Sequence, residues 1–321
     1  MKTKLIMIVA LTGSLFAQPA LADRKFDHNI LKDTFHFTKK TKNNVKLAEL
    51  QQGCNARDCI PAIDKPRFGP PSALKVLGET DVVMVVDYNG VQKAYPLRIM
   101  QGHEIVNDHF DGKPLAVTYC PLCASAVAFI PEVDGKMVEF GVSGLLHNSD
   151  LVMYDRKTES LWGQITGLSI MGPQTGNKLK RVYVAQLTWA QAQQNFTDLV
   201  VLLPPTDSKQ NYQKDFYAKY FKTDDTMFPV SLKDARLLQK AKVHGFIIDD
   251  QPVAVEITHL AEQTALLTKV NGHRINIVQR KDGTVHIKDL KTKQTYVPTL
   301  TYWFAWYNFH PNTQLLSKDR E

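Results

Sequence analysis

The sequence predicts an α+β protein, strand-rich and mainly antiparallel, built as two related lobes from an internal duplication. Three observations carry this expectation. Short β-branched runs meet tight-turn signals, as in Val82-Val83-Met84-Val85-Val86 followed by Asn89-Gly90. The second half of the chain repeats blocks of the first in the same order. A hydrophobic content of 44% with 22% charged residues is that of a chain that buries a real core.

Residues 1–22 read as a cleavable signal peptide. Lys2 and Lys4 precede an apolar run from Leu5 to Phe16, and Ala20-Leu21-Ala22 ends it before Asp23. The run is shorter than the roughly 20 residues a permanent membrane helix needs. The expected location is the periplasm, with no transmembrane segment in the mature chain. Removing the two signal lysines lowers the net charge from +7 to +5. That charge is dispersed apart from Lys39-Lys40-Thr41-Lys42, which reads as a solvated loop, so no nucleic-acid partner is expected.

Residues 23–80 lack steady periodicity and carry Pro61, Pro66, Pro70 and Pro71. They read as an irregular arm. Cys54 and Cys59 flank a turn-rich stretch inside it, and an exported chain favours a local disulfide there.

The first lobe spans 81–204. Strands are expected over the Val82 run, Val91–Tyr95, Leu115–Tyr119, Ala126–Ile130 and Met137–Val142, the last two flanking Asp134-Gly135. Residues 205–240 are polar and aromatic, with Tyr212, Phe216, Tyr217, Tyr220 and Phe221, and read as a linker packing across both lobes.

The second lobe, 241–321, supplies the repeat. Asp155-Arg156-Lys157-Thr158 leads after three residues to Trp162, as Asp289-Leu290-Lys291-Thr292 leads to Tyr296. Leu187-Thr188-Trp189 precedes Asn195-Phe196, and Leu300-Thr301-Tyr302 precedes Asn308-Phe309 at the same spacing. Asp282-Gly283 echoes Asp134-Gly135. This lobe has no cysteine and reads as scaffold.

The chemistry centres on Tyr119-Cys120-Pro121-Leu122-Cys123. Its C-x-x-C spacing serves thiol–disulfide exchange, a soft metal ion, or a structural disulfide. The local likeness to a glutaredoxin motif fails in context, because strand and hairpin follow where a helix should begin. Copper is the preferred ion, with Cys120 and Cys123 as thiolate ligands, His103 as third and Met153 as a further soft donor. A four-cysteine zinc site would have to recruit Cys54 and Cys59. His109 and His147 are weaker candidates. His103-Glu104-Ile105-Val106-Asn107 lacks the second histidine of a zinc-protease helix, and Gly141-Val142-Ser143-Gly144-Leu145 lacks the last glycine of a nucleophile elbow.

Several blocks taken together resemble the bacterial family of unknown function DUF3179. They are Ala94-Tyr95-Pro96-Leu97-Arg98, His103 to Asp108, Val117 to Cys123, Gly141 to Leu146 and Asn148 to Asp155. Cys59 to Asp64, Phe228-Pro229-Val230 and Trp303-Phe304-Ala305-Trp306 extend the likeness. The resemblance implies one recurring unit around the cysteines and no established activity. The leading expectation is a periplasmic protein binding a soft metal, in metal handling or maturation of another protein. Its partner would be a periplasmic metalloprotein or a redox partner. Thiol–disulfide oxidoreduction with the same cysteines and a non-catalytic binding role are the alternatives.

Overall fold

The computed structural model describes residues 30–261 and 265–317, and the segment read as a signal peptide lies outside them. Strands dominate, mostly in antiparallel sheets. Among the described residues no helix is long and apolar enough to cross a membrane.

The hairpin expected at Asn89-Gly90 joins Val82–Tyr88 to Val91–Pro96. Its two turn residues take φ of 54° and 78°, the left-handed pair that matches the twist of the flanking strands. Ala185–Thr188 pairs antiparallel outside the first strand, and Val200–Leu203 pairs parallel with the second. In the second lobe Lys242–Ile248 and Gln251–Glu256 form the hairpin. Thr299–Tyr302 pairs antiparallel with its first strand, and Gln314–Leu316 pairs parallel with its second. The two sheets therefore share strand order and direction over four strands.

Two sheets carry the region of interest. One has the order Lys180–Val182, Ser125–Ile130, Lys113–Cys120, Ile105–Phe110. The other runs Leu50–Gln52, Phe140–His147, Asp150–Asp155, Leu161–Gly163, Ser169–Met171. Their apolar faces share a core that includes Ile105, Phe129, Phe140, Met153 and Trp162. Burial of such side chains contributes roughly 1.5–3 kcal/mol each, so the two sheets hold each other firmly.

The N-terminal arm is less irregular than its prolines suggest. Leu50–Gln52 adds an edge strand to the second of these sheets, and Arg67–Gly69 pairs with Val200–Leu203. Between these strands Cys54 and Cys59 are joined as a disulfide. Segment 205–240 contacts residues on both sides of it in the chain: Asn148 Oδ1 accepts from Ser231 N at 2.8 Å, and Asn308 Oδ1 accepts from Leu232 N at 2.9 Å.

Candidate functional site

The strand Lys113–Cys120, buried from Leu115 onward, ends at Cys120, which faces Ser125 across the hairpin. The chain reverses through Pro121, Leu122, Cys123 and Ala124, whose φ of 50° completes the turn. The C-x-x-C is thus the turn of a β-hairpin. Among the described residues neither cysteine lies in a helix. Both cysteines are free and buried.

A second hairpin meets the first. Phe140–His147 turns into Asp150–Asp155 through Asn148 and Ser149, with φ of 50° and 68°. Left-handed backbone at serine is uncommon and persists where surroundings enforce it. Here Ser149 Oγ donates to Phe228 O at 3.0 Å, and Asn148 N donates to Glu49 O at 3.2 Å. The pinned turn places the Ser149 carbonyl 3.3 Å from Cys123 Sγ and 3.7 Å from Cys120 Sγ.

The next residue, Asp150, completes a group. The two sulfurs and a carboxylate oxygen of Asp150 lie within 4.8 Å of one another. Asp150 is fully buried; its Oδ2 accepts from Ile165 N at 2.9 Å, and its Oδ1 has no partner. Buried polar atoms are nearly always satisfied, so an orphan oxygen beside two thiols marks an unfilled role.

Burial governs the local charges. It pushes the Asp150 carboxyl up to about 8, against the pull of the Ile165, Leu151 and Gln164 amides. It pushes Glu104 up to about 8, helped by the Asp150 charge. It raises the Cys123 thiol well above its ordinary value, with Cys120, Asp150 and Glu104 adding to the shift. At neutral pH the Asp150 and Glu104 carboxyls are therefore largely protonated, and Cys123 is no ready thiolate nucleophile.

The remaining walls come from the other two segments. Tyr220 donates to Leu122 O at 2.7 Å, and Lys240 Nζ sits 3.2 Å from the centre of the Tyr220 ring. Tyr302 N and Thr301 Oγ1 donate to Cys123 O at 2.9 and 3.0 Å. The cysteine-free lobe thus grips the cysteine turn directly.

The other residues singled out from sequence fall as follows. Met153 is buried in the same apolar core as the cysteines. His103 is committed elsewhere. Its Nδ1 donates to Pro61 O at 2.7 Å, and its Nε2 lies 2.6 Å from the Tyr212 hydroxyl, which is also bonded to Ser208 Oγ. It lines a separate cavity of about 500 Å³ with Ser208 and Gln210. His147 Nε2 lies 3.3 Å from Glu49. The disulfide consumes Cys54 and Cys59, which excludes the four-cysteine zinc arrangement. Sequence reasoning missed Asp150 and Glu104. The available signal was the Asn148-Ser149 turn, which aims the residue after it, and the acidic neighbour of His103.

The family described as "Protein of unknown function (DUF3179)" matches residues 57–299, so the chain belongs to that family. No curated protein and no solved structure matches it.

Proposed function

We propose that this DUF3179 member is an exported, periplasmic protein that binds a thiophilic metal ion between Cys120, Cys123 and Asp150, and handles that metal or supports the maturation of another metalloprotein. The observation that carries the reading is the buried convergence of two free thiols with a carboxylate whose second oxygen is unpartnered. Thiolates select copper(I) or zinc(II) over the harder ions. Copper(I) is served by the sulfur pair alone, while zinc(II) also accepts carboxylate oxygen. Binding displaces the thiol protons, which offsets the raised Cys123 value and makes affinity grow with pH.

Thiol–disulfide exchange is the competing reading, since the two sulfurs are neighbours. Their burial and the raised Cys123 thiol count against it. The matching strand order of the two lobes supports descent from one duplicated unit, in which only the first copy carries cysteines.

Anaerobic titration of the reduced protein with copper(I) and with zinc(II), each under chelator competition, tests the proposal. Wild type should bind and Cys120→Ser should bind far more weakly. Equal affinities in the two proteins would end the metal reading.

A further inference from the structure

The three donors come from two hairpins: the thiols from one turn, the carboxylate from the start of the strand Asp150–Asp155. Their spacing therefore depends on how the hairpins lock together, and Gln164 bridges them. It is fully buried, as are Thr118 and Ser125. On the cysteine hairpin, Gln164 Nε2 donates to Thr118 Oγ1 at 3.0 Å and to Ser125 O at 3.2 Å, and Gln164 Oε1 accepts from Ser125 Oγ at 2.7 Å. Ser125 is the cross-strand partner of Cys120, and Thr118 lies two residues before Cys120 on its strand. On the carboxylate side the backbone makes the contacts. Gln164 N donates to Leu151 O at 3.0 Å, and the next amide, Ile165 N, donates to Asp150 Oδ2 at 2.9 Å.

Both polar atoms of the Gln164 side chain thus have partners, and the direction of each bond is fixed. The Thr118 hydroxyl donates its hydrogen to Val127 O at 2.7 Å, so toward Gln164 it can only accept. The residues beside these groups in the chain, among them Val127, Leu151 and Ile165, belong to the shared apolar core. An unpartnered polar group there would cost about 1–3 kcal/mol, whereas a fully satisfied network rigidifies its surroundings and specifies one arrangement. An apolar side chain could fill the same space, but it could not tie both strands of one hairpin to the first residues of another.

We infer that Gln164 is a positioning residue of the metal site: it locks the cysteine hairpin to the strand that begins at Asp150, holds the carboxylate against the two sulfurs, and so makes the site select zinc(II) over copper(I). The inference rests on the metal-binding reading above and adds its ion preference. Copper(I) is served by two thiolates, which share one turn and keep their spacing whatever the second hairpin does. Zinc(II) also takes carboxylate oxygen, at roughly 2.0–2.2 Å, so its affinity follows the placement of Asp150. Ile165 N holds Asp150 Oδ2, which leaves the unpartnered Oδ1 for the ion.

The test uses the full reduced chain, with zinc(II) and copper(I) competition titrations, cobalt(II) spectra and thermal melts of wild type, Gln164→Met, Gln164→Glu and Cys120→Ser. Methionine keeps the length of the side chain and none of its hydrogen bonds. A protonated glutamate can still accept from Ser125 and donate to Thr118, so Gln164→Glu is the rescuing variant. Gln164→Met should lose at least roughly tenfold in zinc(II) affinity and less than about twofold in copper(I) affinity. Its cobalt(II) bands should shift, and those of Gln164→Glu should stay as in wild type. Should Gln164→Met fail to fold, Ser125→Ala removes one bond of the network and should shift the bands in the same direction. A lowered Tm with wild-type zinc(II) affinity and cobalt(II) bands would make Gln164 a structural residue only and leave the three-donor site standing. Equal losses for the two ions would overturn the selectivity. Binding of both ions by Cys120→Ser at wild-type affinity would overturn the metal reading beneath it.

Discussion

Replacing Asp150 by asparagine should make the metal-free protein more stable at neutral pH while weakening its response to zinc(II). The carboxyl titrates near 3.8 when unfolded and near 8 in the fold, because burial penalises its charge. A group whose folded value is raised binds its proton more tightly in the native state. Its stabilising effect is complete below pH 3.8 and is lost as pH rises toward 8. Each pH unit in that window costs about 1.4 kcal/mol, so Asp150 alone could cost up to about 4 kcal/mol near pH 7. Glu104 titrates over the same window in the same direction. Because the two carboxyls interact, their combined cost is less than the sum. Asp150→Asn should therefore gain about 2–4 kcal/mol near pH 7 and flatten the pH dependence. Urea denaturation of both proteins with reductant and chelator, from about pH 5 to about pH 8, measures this. A variant that is less stable than wild type at pH 7, with the same pH slope, would refute the reasoning. Zinc(II) at about 100 times its wild-type Kd should stabilise wild type by about 2.7 kcal/mol and the variant by less.

Three other outcomes follow from single contacts. Tyr220→Phe removes the hydrogen bond to Leu122 O and should cost about 1 kcal/mol, with faster metal loss to a chelator measured by stopped flow. Gly245→Ala drives a methyl group into the Trp306 ring and should destabilise by about 1–3 kcal/mol in thermal melts. Paired Cys54→Ser and Cys59→Ser substitutions open a short loop and should cost about 2 kcal/mol, with metal affinity unchanged because those sulfurs are not donors.

Local order is the part of this fold that sequence makes legible. Asn89-Gly90 specifies its hairpin because few residue pairs tolerate two positive φ angles. The strand after Cys123 is legible from Ala126 to Ile130, and it suffices to remove the C-x-x-C from a helix terminus. The disulfide is legible because five positions of turn-prone chain keep the two cysteines close. The partner of the thiols is not. Asp150 reaches them through the packing of two sheets, and the Asn148-Ser149 turn before it marks a reversal of the chain without naming what it faces. His103 and Glu104 show the same limit at closer range. The backbone is left-handed at Glu104, and its neighbour His103 is engaged with Tyr212 rather than with the sulfurs. The aromatic residues of 205–240 announce packing, but only the tertiary fold makes Tyr220 a wall of the site.

X-ray absorption at the metal edge of the reduced, zinc-loaded protein tests the central claim most directly. The account predicts two sulfur neighbours at about 2.3 Å and oxygen from Asp150 at about 2.0–2.2 Å, with both sulfurs lost from the spectrum of the doubly substituted Cys120→Ser, Cys123→Ser protein. A shell of oxygen and nitrogen without sulfur would contradict it.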